Sequence, residues 1–172
     1  MKHFIPILAA VSCLQLFAGP DPVPQSADAR LAQIIVVSNQ VEIAIAEQAK
    51  EKVSDAKVAA FVDELITSHI AMLNDAEALF DSIRLVPVES NMSRDIAAKG
   101  AAKLQDLSRL EGAEYITAFL TGQVEGNKKC LEEINRWIPT IQNAELKAFL
   151  EQGEAVVRRH LEEAQALLGQ VN

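Results

Sequence analysis

From Leu31 to Leu168 apolar residues recur at steps of three and four, with no stretch of period-two alternation. A chain patterned this way buries a stripe on each helix and has no pleated surface to offer a sheet. The spacing predicts five helices. The first runs from about Asp28 to Lys52 with Leu31, Ile34, Ile35, Val41 and Ile45 inward. The second runs from the start signal Ser54-Asp55 to about Ile83, with Val58, Phe61, Leu65, Met72 and Leu79 inward. The few residues between them force an antiparallel hairpin. Leu85-Val-Pro-Val-Glu-Ser90 breaks the pattern, and Asn91 or Ser93 is expected to cap a shorter, Ala-rich third helix to about Arg109. After Glu111-Gly112 a fourth helix, with Phe119, Leu120, Leu131 and Ile134 inward, is expected from about Ala113 to Ile138, where Pro139 stops it. Asn143 caps the fifth, which carries Leu146, Phe149, Val156, Val157, Leu161 and Leu167 and ends near Gly169.

Four long helices in two hairpins, joined by a short crossover helix, make an all-α fold: an antiparallel four-helix bundle of the ferritin-like arrangement. At 172 residues, 49% of them hydrophobic and only 5% aromatic, the chain suits one helical domain better than a sandwich or two domains.

Before the periodic region stands MKHFIPILAAVSCLQLFAG, with Lys2 ahead of an apolar run from Phe4 to Ala18, and then the helix-breaking PDPVPQS. A charged start, a run shorter than a membrane span and a small residue at its end describe a signal peptide over 1–18. Residues 19–27 form a Pro-rich linker and 28–172 the helical bundle domain. Two alternatives stand beside cleavage after Ala18: a retained N-terminal anchor, and a lipoprotein box at Ala10-Val11-Ser12-Cys13 that leaves a lipid anchor on Cys13. No later segment has eighteen uncharged apolar residues, so no transmembrane segment is expected after signal removal. The expected location is the periplasm or cell envelope.

With the signal gone Cys130 is the one cysteine, and no intramolecular disulfide can form. Beside Leu131 and Ile134 it reads as a small buried hydrophobe. The formal charge is −8, one unit more negative once Lys2 leaves, with no basic patch to offset it, which argues against nucleic acid as a partner. There is no Gly-rich phosphate loop, zinc-type cysteine cluster or nucleophile elbow.

Each long helix carries one polar residue on its apolar stripe. Glu42 lies seven after Ile35, His69 four after Leu65, Asn127 seven after Leu120, and His160 four after Val156. All four are expected to point between the helices. A buried carboxylate needs a partner or a metal. Two readings follow: a metal site, or a network in which Glu42 pairs with a protonated histidine and Asn127 satisfies a buried donor. Counted from the first hairpin's turn, Glu42 and His69 differ by about four residues, or ~6 Å of rise.

The runs Asn39-Gln-Val-Glu42-Ile, Val58-Ala-Ala-Phe61 leading to Ser68-His69, Leu107-Ser-Arg-Leu-Glu-Gly112-Ala-Glu-Tyr115 and Arg159-His160-Leu161-Glu-Glu-Ala164-Gln, in that order, resemble an exported bacterial family of unknown function with a ferritin-like fold. The resemblance implies an inward Glu on the first helix, two Asp-His pairs further on and a final His. Glu42, His69 and His160 match those positions. Ser68 stands where the first Asp is usual, Gly126-Asn127 where the second Asp-His is usual, and Ala155-Val156 where a Pro is usual. Such a ligand set supports one zinc or iron ion at most, on Glu42, His69 and His160, with Asn127 at the lost fourth position. The first functional expectation is therefore a structural or interaction module of the envelope with an eroded core metal site, without enzymatic activity, acting through an envelope partner protein or as a homo-oligomer. The alternative is a mononuclear metal-binding protein in storage, sensing or stress protection.

Overall fold

The computed structural model describes residues 26–171. The signal segment 1–18, Cys13 and linker residues 19–25 lie outside them. Helix α1 spans Ala27–Lys52, α2 Ala56–Ser82, α3 Asn91–Ser108, α4 Gly112–Trp137 and α5 Ala144–Val171, with a short 3-10 helix at Ile138–Thr140. Among the described residues there is no strand. α1 pairs with α2, and α4 with α5, across short connections; α2 and α5 join the two hairpins. The all-α bundle with a crossover helix is thus the observed fold.

Local chemistry sets most helix starts. Ser26 accepts from the Ala29 amide at 3.1 Å, Asp55 from the Lys57 and Val58 amides, and Asn143 from the Leu146 amide at 2.8 Å. The cap of α3 is Ser90 rather than Asn91 or Ser93. Ser90 and Ser93 hold each other in a reciprocal capping box, a role that the Ser93 hydroxyl fills in place of the usual Glu. Gly112, at φ +55°, supplies the left-handed backbone that lets α4 start directly after α3. Pro139 ends α4 by forming the 3-10 turn, whereas Gly169 lies inside α5 and does not end it.

The core divides into two apolar clusters. One lies near the α1–α2 turn and centres on Ala46, Phe61, Leu65, Phe119, Leu120 and Ala164. The other fills the opposite end around Leu31, Ile35, Phe80, Leu131, Leu146 and Leu150. Of the residues expected inward, Val41, Met72, Leu79, Phe149, Val156 and Leu161 are only partly buried. They sit on the shoulders of their stripes. Leu79, Phe149 and Leu161 edge the second cluster, and Val41 faces α3. Cys130 is likewise partly buried against that second cluster.

α3 packs mainly on α1. An added Cβ on Gly100 would lie 2.6 Å from a methyl of Val41, so this close approach of the two helices requires glycine. α1 is long and apolar enough, by length and composition, to cross a membrane. Its apolar residues are shared among α2, α3 and α4, which accounts for that character within the bundle.

Candidate functional site

Between the two apolar clusters runs a polar belt. Asn39 and Glu42 on α1, His69 on α2, Gln123 and Asn127 on α4 and His160 on α5 all fall between cluster members of lower and higher number on their own helices. His160 is fully buried, and His69, Asn127, Asn39 and Gln123 are buried as well. Every sequence-predicted site residue is in the belt. They do not form one group.

The first subset is built around the histidines. Asn39 Nδ2 donates to the Ile35 carbonyl at 2.8 Å, which aims its Oδ1 at His69 Nδ1, 2.9 Å away. The amide oxygen only accepts, so this network puts the proton of His69 on Nδ1. Ser68 Oγ donates to the Glu64 carbonyl at 2.8 Å and approaches that of Leu65 at 3.2 Å. Its single proton is spent there, and the 3.0 Å contact to His160 Nε2 is then a donation from the imidazole. This polarity is the reverse of what a serine nucleophile needs, because the ring nitrogen facing the hydroxyl has no lone pair to receive its proton. His160 Nδ1 is left a buried acceptor with no hydrogen-bond partner among the described residues.

The two imidazoles lie 5.3 Å apart between ring centroids, tilted by 48°, and the edge of Phe61 closes on His160 at 6.4 Å. Burial pushes His69 down to about 4. Burial also pushes His160 down to about 4, helped by His69 and Arg159 and opposed by Glu64. Both rings are neutral at pH 7.

The second subset is built around Glu42. Gln123 Nε2 donates to Glu42 Oε2 at 2.9 Å, and Asn127 Nδ2 donates to the Gln123 carbonyl at 2.8 Å and to its Oε1 at 3.3 Å. The result is a relay from Asn127 through Gln123 to Glu42. Burial raises the Glu42 carboxyl above the ordinary range and the Gln123 bond partly offsets this. Glu42 looks towards α4: a Cβ on Gly126 would lie 4.0 Å from its Oε1, and burial, Glu42 and Glu133 together push the Cys130 thiol up to about 12. Such a thiol is inert as a nucleophile.

Asn39 rather than Glu42 is the α1 partner of His69. Asn39 and His69 are each fifteen residues from Ser54 at the centre of the turn, whereas Glu42 lies three residues nearer to it, ~4.5 Å along the helix. Asn127 donates within its own helix, to the Gln123 carbonyl and side-chain oxygen, rather than to His69 or His160. Among the described residues no group of three or more His, Cys, Asp or Glu side chains is placed to hold a metal ion. A zinc or iron ion needs at least three converging protein donors, so the donor set does not fit one.

Asn39 and Gln123 are the members of the belt that the sequence reading passed over. The signal was present: Asn39 stands four after Ile35, and Gln123 three after Leu120 and four before Asn127, on the same stripes. Ser68 stands where the resemblance implies a carboxylate, and its hydroxyl instead meets His160.

No curated protein and no solved structure matches the chain. A family model described as Domain of unknown function (DUF4142) matches residues 16–167, which span both hairpins, the crossover helix and the whole belt. With that match over nearly its whole length, the chain belongs to the DUF4142 domain family.

Proposed function

We propose that this chain is an exported structural or interaction module of the cell envelope, in which a hydrogen-bonded polar belt occupies the place of a metal centre. The observation that carries this reading is the division of the expected ligands. His69 commits a nitrogen to Asn39 and His160 one to Ser68, while Glu42 takes its bond from Gln123 on α4. The order hairpin, crossover helix, hairpin supports the ferritin-like reading of the bundle. Export through the 1–18 segment accords with an acidic composition and leaves Cys130, partly buried, with no second cysteine to pair with.

The belt's role in this reading is to fix helix register. Slipping one helix by a turn would leave a buried amide or imidazole without its partner, at about 1–3 kcal/mol for each group. An all-apolar stripe would tolerate the same slip far better.

Metal analysis of the purified chain, followed by melting with saturating zinc(II) or iron(II), tests the proposal. The expected result is less than stoichiometric metal and an unchanged melting temperature. One tightly held ion per chain, raising the melting temperature by linkage and lost in His160→Ala, would overturn it in favour of a mononuclear site on Glu42, His69 and His160.

A further inference from the structure

A groove of about 240 Å³ opens at the end of the bundle where α1 begins. Its floor and walls are mostly apolar: Leu31 and Ile34 from α1, Met92 from α3, and Trp137 and Ile141 beside the 3-10 turn. Two long-range bonds hold those walls in place. The Val88 amide donates to the Ala29 carbonyl at 2.9 Å, and the Asn143 amide to Asp28 Oδ2 at 3.2 Å. The groove is therefore preformed, and Trp137, the one tryptophan of the chain, is only partly buried in it.

The position of the groove points to its occupant. Ala27, the first residue of α1, lines it, so the described chain begins at its mouth. The sequence before Ser26 reads Gly19-Pro-Asp-Pro-Val-Pro-Gln25, with proline at every second position from 20 to 24. Such a run is biased to the extended polyproline conformation and loses little entropy on binding. Aromatic-lined apolar grooves are what recognise it. Six residues at ~3.1 Å each reach ~19 Å, and the groove extends along α1 only from Ala27 to Ile34, ~10 Å of helix. The covalent tether supplies a high effective concentration, so weak contacts suffice.

We propose that this groove is the docking site of the chain's own Pro-rich run, Pro20–Gln25, which turns back over the first two turns of α1 and sets a proline against Trp137. The bundle would then carry its own peptide-recognition groove, filled in cis. This inference stands whether or not the belt binds metal.

The single tryptophan reports on it. The chain from Gly19 onward, which contains every described helix, is compared with its Pro20→Ser, Pro22→Ser, Pro24→Ser variant by Trp137 emission, acrylamide quenching and gel filtration. Because docking shields the indole, the variant is expected to emit further to the red and to quench about twofold more readily, with unchanged far-UV circular dichroism. Adding the free peptide Gly-Pro-Asp-Pro-Val-Pro-Gln at millimolar concentration should reverse both changes. Identical emission and quenching in the two chains would overturn the proposal. A dimer present in the wild type and absent from the variant would also overturn it, by assigning the groove to a second copy.

Discussion

Acidification should destabilise this bundle through two residues. His69 and His160 titrate at about 4 in the folded chain, against 6.5 for a free imidazole. Above pH 6.5 both rings are neutral in the folded and unfolded states, and their contribution is flat. Between 6.5 and 4 the unfolded chain takes up protons that the folded chain refuses, so stability falls with falling pH; below 4 the loss is complete. At pH 5 the difference amounts to roughly 2 kcal/mol for each ring, about 4 kcal/mol for the pair. In a chain of this size that is a drop of roughly 8–16 °C in melting temperature relative to pH 7.5. Glu42 acts with the opposite sign. Its raised carboxyl disfavours the folded state at high pH, and acid relieves that cost until the unfolded value of 4.5 is passed. The histidine term must therefore be isolated by difference. His69→Gln with His160→Gln keeps polar side chains and removes both titrations. Melting of the two proteins at pH 7.5, 6 and 5 should show the wild type losing several degrees more than the double variant. Arg159 and Glu64, the charged groups beside His160, stay in place in both. Equal losses in the two proteins would refute the reasoning, since the buried imidazoles would then carry no share of the acid sensitivity.

Other outcomes follow from single contacts. Asn39→Leu leaves the His69 Nδ1–H buried without an acceptor and should cost about 1–3 kcal/mol in urea unfolding; a loss of a few tenths would mean that the tautomer is the other one. Gln123→Leu strips from Glu42 the hydrogen bond that favours its charged form, so the destabilisation read by urea unfolding should grow as pH rises. Gly100→Ala drives a methyl into the branched Val41 side chain and should cost about 1–3 kcal/mol, partly recovered by adding Val41→Ala. Cys130, its thiol pushed up to about 12, should resist alkylation at pH 8 in the folded chain and react once it is unfolded.

The helices were legible because their signals are local. Caps at Asp55 and Asn143, the Gly112 break and the Pro139 stop act within one turn of the residue that carries them. The errors arose where two local devices competed. Ser90 replaced Asn91 as the cap because Ser93 could return the bond three residues on, and Gly169 failed to stop α5 because the helix still had Val171 to pack against the first cluster. The site was half legible. The stripe positions identified Glu42, His69, Asn127 and His160 as buried or partly buried polar groups, which they are. Which of them meet depends on axial register between helices, and the three residues that separate Asn39 from Glu42 decide whether a histidine faces an amide or a carboxylate. Nothing local reports that offset, since it is set by how tightly the Val53–Asp55 turn closes.

α3 rests on one neighbour. It makes its packing almost wholly against α1, with few contacts to α4 and a row of exposed alanines at 97, 98, 101 and 102 on its outer side. Cooperative opening is governed by the apolar surface that each segment shares with the rest, and a segment attached along one seam separates at a lower free energy than the whole. In native-state hydrogen exchange α3 should therefore form its own foldon, exchanging ahead of α1, whose amides are covered from three sides. The link between the two hairpins is then the part of the bundle that opens first. A protease that samples the folded ensemble would nick the molecule there and leave two paired helices on either side of the cut.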